Sequence, residues 1–149
     1  MLLVEDGPDN QRLIAYLLRK AGAEVVVAEN GQAAIEQVVP AAALAEGKKP
    51  ARFAPFDVIL MDIQMPVMDG YEATRRLRAL GYTGRIVALT AHAMSQDRQQ
   101  CLDAGCDAYL AKPIEQRVLL EVVAQYAAGS QRSDDGRSSP AGAAERSAQ

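Results

Sequence analysis

Short apolar runs alternate with longer amphipathic stretches along this chain. The runs Leu2–Val4, Glu24–Ala28, Asp57–Met61, Arg85–Thr90 and Ala108–Ala111 have the length and aliphatic content of buried strands. Between them, apolar residues recur at helical spacing. The first such stretch, about Asp9–Ala21, gathers Leu13, Ile14, Leu17 and Leu18 on one face and stops at Gly22. A second runs from near Asn30 toward Val39, where Pro40 interrupts it. The third starts behind Asp69 and Gly70 and includes Ala73, Leu77 and Leu80. The fourth opens at Ser95, a good N-cap, and closes at Gly105. The fifth, about Glu115–Ala128, presents Val118, Leu119, Val122 and Val123.

Five strands alternating with five helices predict an α/β fold: a doubly wound parallel sheet with helices on both faces. Right-handed crossovers and short connections favour the strand order 2-1-3-4-5. In such a sheet ligands bind beyond the carboxyl ends of the strands, at the switch point between strands 1 and 3.

Composition narrows the picture. The 149 residues suffice for one full core but not for two ordinary domains, and 49% hydrophobic with 23% charged residues is the balance of a soluble globular domain. With a net charge of −3 and no basic stripe, direct nucleic-acid binding is not expected. No apolar run approaches the roughly 20 residues of a membrane span. The strand-like start at Met1 lacks the charged segment of a signal peptide, so a cytoplasmic setting is expected. Cys101 and Cys106, the only cysteines, have neither metal-ligand nor disulfide-framework spacing and read as buried free thiols.

The chemistry gathers at one edge of the predicted sheet. Strand 1 ends in Glu5 and Asp6, strand 3 in Asp62, strand 4 in Thr90, and strand 5 in Lys112 followed by Pro113. Taken singly, Asp6 or Asp62 could cap a helix, Thr90 could end a strand and Lys112 could be solvated. Their convergence at equivalent strand ends is hard to assign to capping. Three close carboxylates raise one another's pKa unless a cation compensates. Oxygen donors without a nearby His or Cys suit a hard ion such as Mg²⁺, which welcomes phosphate oxygens. An aspartate can also be the nucleophile that accepts a phosphoryl group, with a metal and Lys112 neutralising its charge and Thr90 donating to a phosphoryl oxygen.

The segments LLVED at 2–6, ILMDIQMPVMDGYEATRRLR at 59–78, ALTAHAM at 88–94 and GCDAYLAKPI at 105–114 resemble the receiver domains of two-component response regulators. MDIQMPVMDG and ALTAHAM are most similar to receivers attached to hybrid sensor histidine kinases. The resemblance covers about residues 1–127 and implies a CheY-like, flavodoxin-like fold. It implies that Asp62 is the phosphoacceptor and Asp6 the direct Mg²⁺ ligand, with Glu5 assisting and the backbone carbonyl of Gln64 completing the coordination. Thr90 and Lys112 match the phosphoryl-contacting switch residues, and Tyr109 the aromatic switch that turns inward. Lys112–Pro113 matches a cis peptide. Gln64 and His92 match positions that tune phosphoryl lifetime, although His92, the only histidine, also reads as a solvated loop residue. The implied partner is a sensor histidine kinase or a histidine phosphotransfer domain, with specificity around Asn10, Gln11 and Ile14. The implied readout face is the fourth helix, fifth strand and fifth helix, which could also pair two copies.

Such a chain is a signalling receiver rather than an enzyme. A Mg²⁺-dependent aspartyl phosphatase resembles the same site, but needs a second acid where Gln64 stands. A degenerate receiver acting only as a scaffold is opposed by the intact set Asp6, Asp62, Thr90 and Lys112. Three departures from the family pattern remain. Strand 1 begins at Met1 without the usual preceding residues, so a slightly truncated and weakened central strand is expected. Gly7 replaces a usual asparagine, which predicts a looser loop. Residues 40–55 lengthen the approach to strand 3, with a helical turn over Ala41–Ala45 and an exposed loop from Lys48 to Pro55. Met65 and Met68 read as loop packing, and Tyr71 and Tyr82 as boundary residues. From residue 128 onward the small and polar composition predicts a disordered tail, leaving output to docking or to a larger parent chain.

Overall fold

The computed structural model describes residues 1–91 and 95–128. Its strands are β1 (Leu2–Val4), β2 (Val26–Ala28), β3 (Val58–Asp62), β4 (Arg85–Thr90) and β5 (Ala108–Ala111), all parallel, in the order β2-β1-β3-β4-β5. The helices are α1 (Pro8–Lys20), α2 (Gly31–Val38), α3 (Ala41–Glu46), α4 (Gly70–Ala79), α5 (Ser95–Ala104) and α6 (Gln116–Ala128). The expected fold class and strand order are those observed. Residue 128, where the expected tail begins, ends α6; the rest of that tail and His92 lie outside the described residues, as does the side chain of Ser95.

A parallel sheet covered on both faces needs strands with continuous apolar runs, and β3 has one in Val58–Met61, with all of Val58–Asp62 buried. Leu2, Leu3, Ile59, Leu60, Met61, Ile86 and Leu89 are wholly inaccessible, each contributing roughly 1.5–3 kcal/mol by leaving water. β1 has only three residues, yet each is in register with a residue of β2 and of β3. β2 is shorter than expected, and its edge position leaves Val26 exposed.

Local chemistry sets the helix ends. Pro8 starts α1 one residue earlier than expected, because proline suits a position whose N–H would have no helical partner. Asn30 and Asp69 cap α2 and α4 by accepting from Ala33 N and Glu72 N, each at 2.8 Å.

The connection before β3 differs from expectation. α3 is a separate short helix, and the loop after it is only partly exposed. Phe53 is half-buried, meeting Tyr82 edge-on at 5.3 Å between ring centres, and Ala54 N donates to Val38 O at 2.9 Å. Tyr82 is therefore a core residue, not a boundary one. Ile14 likewise faces the core, whereas Leu13 and Tyr16 on α1 are exposed. No described helix is long and apolar enough to cross a membrane.

Candidate functional site

β1 and β3 are neighbours, so their carboxyl ends deliver Glu5, Asp6 and Asp62 to one place. Carboxylate oxygens of these three residues lie within 4.8 Å of one another. β5 stands two strands away, and its extension carries Lys112 back over the edge. Lys112 Nζ donates to Asp62 Oδ1 at 3.0 Å and to Glu5 Oε1 at 3.3 Å. The backbone N–H of Lys112 bonds to Thr90 O at 2.8 Å, tying the end of β5 to the end of β4, and the Lys112–Pro113 peptide is cis.

The three acids are not equivalent. Glu5 is buried and both its oxygens are engaged, the second by Gly7 N at 3.1 Å. Gly7 therefore sits in a held turn, not a loose loop, and a Cβ there would come within 3.3 Å of Glu5 Oε2. Asp6 is exposed, its oxygens open to solvent. Asp62 is only 2% exposed. Burial pushes its pKa up to about 6; the hydrogen bond from Lys112 opposes this and the charge of Glu5 adds to it. Burial disfavours the Lys112 ammonium, but the bond to Asp62 and the charges of Asp62 and Glu5 outweigh it and raise its pKa. One ammonium thus pairs with two of the three clustered carboxylates, and the donor set fits a hard divalent cation.

The segment after Asp62 is held closely. Gly70 N donates to Ile63 O at 2.9 Å, and a Cβ on Gly70 would stand 2.3 Å from Asp62 O. Only glycine lets α4 start against the strand end. Gly31 N, at the start of α2, bonds to Met68 O at 3.2 Å. Val67, between these anchors, has φ 72, a region β-branched residues rarely adopt. An open cleft of about 370 Å³ lies alongside, lined in part by Gln64, Asp69, Tyr71 and Thr90. Thr90 and Tyr109 are buried, and Gln64 is exposed at the cleft rim.

Glu5, Asp6, Asp62 and Lys112 are therefore brought together, with Thr90 and Gln64 on the adjoining cleft. Sequence reading missed the full occupation of Glu5, the closeness at Gly70 and the backbone of Val67. The spacing of Asp62 and Gly70 hinted at the second; a valine gives no hint of the third.

The family model described as the response regulator receiver domain matches residues 1–124. The chain belongs to this family. Among curated relatives, sensor protein GacS of Pseudomonas syringae pv. syringae is 42% identical over 131 residues, covering 85% of this chain and 13% of that protein. The chain spans 12–13% of the length of the first curated sensor kinases it matches, and is similar to the receivers of hybrid kinases. A solved receiver domain of a Pseudomonas aeruginosa sensor histidine kinase, with a magnesium ion coordinated in its active site cleft, is 40% identical with TM-score 0.67, covering 85% of this chain and 95% of that one. The receiver domain of Saccharomyces cerevisiae Ssk1, solved with the histidine phosphotransfer protein Ypd1, is represented by a match at 28% identity and TM-score 0.72, covering 91% and 92%.

Proposed function

We propose that Asp62 of this two-component receiver accepts a phosphoryl group from a partner's phosphohistidine. The observation that carries the reading is the buried Asp62 carboxylate, 3.0 Å from Lys112 Nζ and clustered with Glu5 and Asp6. An Asp62 oxygen attacks phosphorus, the P–N bond breaks, and its electron pair returns to the donor imidazole. Asp6 and Asp62, with the Gln64 carbonyl, would hold Mg²⁺, and Glu5 would assist while orienting Lys112. Bound there, Mg²⁺ supplies positive charge to the transferring oxygens. Lys112 moves from the carboxylates toward the new phosphate, and Thr90 donates to one of its oxygens.

The phosphate adds about −1.5 to −2 charges. That charge shifts an existing equilibrium between two conformations toward the one in which Tyr109, already buried here, is held inward. The readout face is α5, β5 and α6, which also serves for pairing two copies. Gln64 and His92 tune how fast water removes the phosphate. Gln64 is no acid, which favours a switch that keeps its phosphate over a phosphatase that turns over.

The donor is a sensor kinase or a histidine phosphotransfer domain, supported by the likeness to Ssk1 in its complex with Ypd1. Leu13 and Tyr16, 54% and 58% exposed on α1, the helix that follows Asp6, offer it an apolar landing face.

Radiolabelled acetyl phosphate tests the assignment. Acid-labile, base-labile label forms on the wild type with Mg²⁺ and is lost in Asp62→Asn. Undiminished label in that variant overturns the reading.

A further inference from the structure

Helix α5 is held to the core by few side chains. Among its described residues only Cys101 and Ala104 are buried, both near its carboxyl end. That end closes as a Schellman turn. Gly105 has φ 110, its N–H bonds to Leu102 O at 3.0 Å, and Cys106 N bonds to Cys101 O at 3.0 Å. The second bond sets the residues at either end of the motif side by side, where an apolar contact commonly forms. Here both positions are cysteines, free and buried. Cys106 Sγ also lies within hydrogen-bond reach of Thr74 Oγ1 of α4, at 3.9 Å.

The two thiols are unequal. A hydrogen bond with Cys106 leads in lowering the Cys101 pKa, burial opposes it, and a bond with Tyr71 assists. The same thiol–thiol bond leads in raising Cys106, and burial adds to it. Cys101 is the sulfur that ionises more readily, and Cys106 the one that keeps its proton.

We propose that Cys101 and Cys106 form a redox-active pair that a small hydroperoxide closes to a disulfide across the α5–β5 turn. Burial selects the oxidant class. Hydrogen peroxide is little larger than water and can enter during local opening of a helix so lightly anchored, whereas a bulky disulfide oxidant is kept out. The Cys101 thiolate attacks one peroxide oxygen, the O–O bond breaks, hydroxide leaves and a sulfenic acid forms. The Cys106 sulfur then attacks the Cys101 sulfur, the S–O bond breaks, and a second hydroxide leaves. The two thiol protons convert both hydroxides to water. Two thiols are oxidised by two electrons in all, and one peroxide is reduced to two waters. The product ties the end of α5 to the residues leading into β5, the strand that ends beside Lys112, so α5 opens less often.

The reduced full-length chain is treated with hydrogen peroxide, alkylated after denaturation, and mapped by mass spectrometry. The expected product is an intramolecular Cys101–Cys106 link, lighter by two hydrogens and reversed by dithiothreitol, with slower amide exchange in α5. Cys106→Ser should stop at a sulfenic acid that dimedone traps at Cys101, and Cys101→Ser should leave Cys106 reduced. If both wild-type thiols are alkylated as fully as before treatment, or are oxidised to sulfinic acids without a link, or join only between molecules, the proposal fails. Should either serine variant lose its circular dichroism signature, the wild-type map decides alone.

Discussion

The two ends of the parallel sheet handle charge in opposite ways. At the amino ends of β4 and β5, one carboxylate meets two guanidiniums. Asp107 accepts from Arg78 at 3.1 Å and from Ile86 N at 2.9 Å, and Arg85 lies 3.6 Å away. The Arg78 guanidinium also donates to the carbonyls of Gly105, Tyr82 and Gly84 at 2.8–2.9 Å. Arg85 in turn sits over the Tyr126 ring at 5.7 Å. At the carboxyl ends of β1 and β3, three carboxylates cluster and a single ammonium pairs with two of them, Glu5 and Asp62. The amino end satisfies itself and is structural. The carboxyl end is left short of positive charge, and that shortfall is what a divalent cation and a phosphoryl group would engage.

Removing the shared carboxylate from each end should therefore act with opposite sign. Asp107→Ala leaves two half-buried guanidiniums and Ile86 N without their acceptor, and should cost about 3 kcal/mol in urea unfolding. A loss below about 1 kcal/mol, the worth of an exposed ion pair, would place the cluster with surface pairs instead. Gly70→Ala tests the backbone of the charged end. The clash with Asp62 O should cost roughly 2–3 kcal/mol and also lower acetyl phosphate labelling, because Asp62 must shift.

Asp62→Asn should stabilise the metal-free protein, on the order of 2 kcal/mol at neutral pH. The pKa of Asp62 is raised in the folded state, so its contribution to stability is fully present below about 3.8 and is lost as pH rises through about 6. The advantage of the asparagine variant should thus be absent near pH 3.8, grow toward pH 6 and level off above it. Mg²⁺ should narrow that gap by stabilising the wild type alone. A gap that does not change with pH would mean that Asp62 is not the strained acid of the cluster. The smallest effect is expected at Val67→Gly, which relieves φ 72 and should gain roughly 0.5–1 kcal/mol after the added freedom of the unfolded chain is set against it.

Much of this organisation is legible in one dimension. Val58–Met61 reads as a strand buried on both faces because no polar residue interrupts it, and Asp62 then falls at its end. Asn30 and Asp69 declare the starts of α2 and α4 through side chains that accept their own backbone N–H groups. Where reading fell short, the deciding contact was distant in sequence. Tyr82 looked like a boundary residue until Phe53, from the lengthened connection, covered it. Ile14 reads both as part of one apolar face with Leu13 and as a partner-specificity position with Asn10 and Gln11, and only the packing of that helix on the sheet buries it while leaving Leu13 exposed.

The sequence by itself determined the alternation of strands and helices, the strand-end placement of Glu5, Asp6, Asp62, Thr90 and Lys112, and membership of the receiver family. Each of these follows from local periodicity, capping chemistry or motif wording. Tertiary structure alone decided how the acids divide their work. Glu5 is locked by Lys112 and Gly7, Asp62 is buried and pushed toward neutrality, and Asp6 is left to solvent. It also decided that Cys101 and Cys106 meet across a helix end. Burial, and the distance between charges on different strands, are properties of the folded chain, and no spacing along the sequence encodes them.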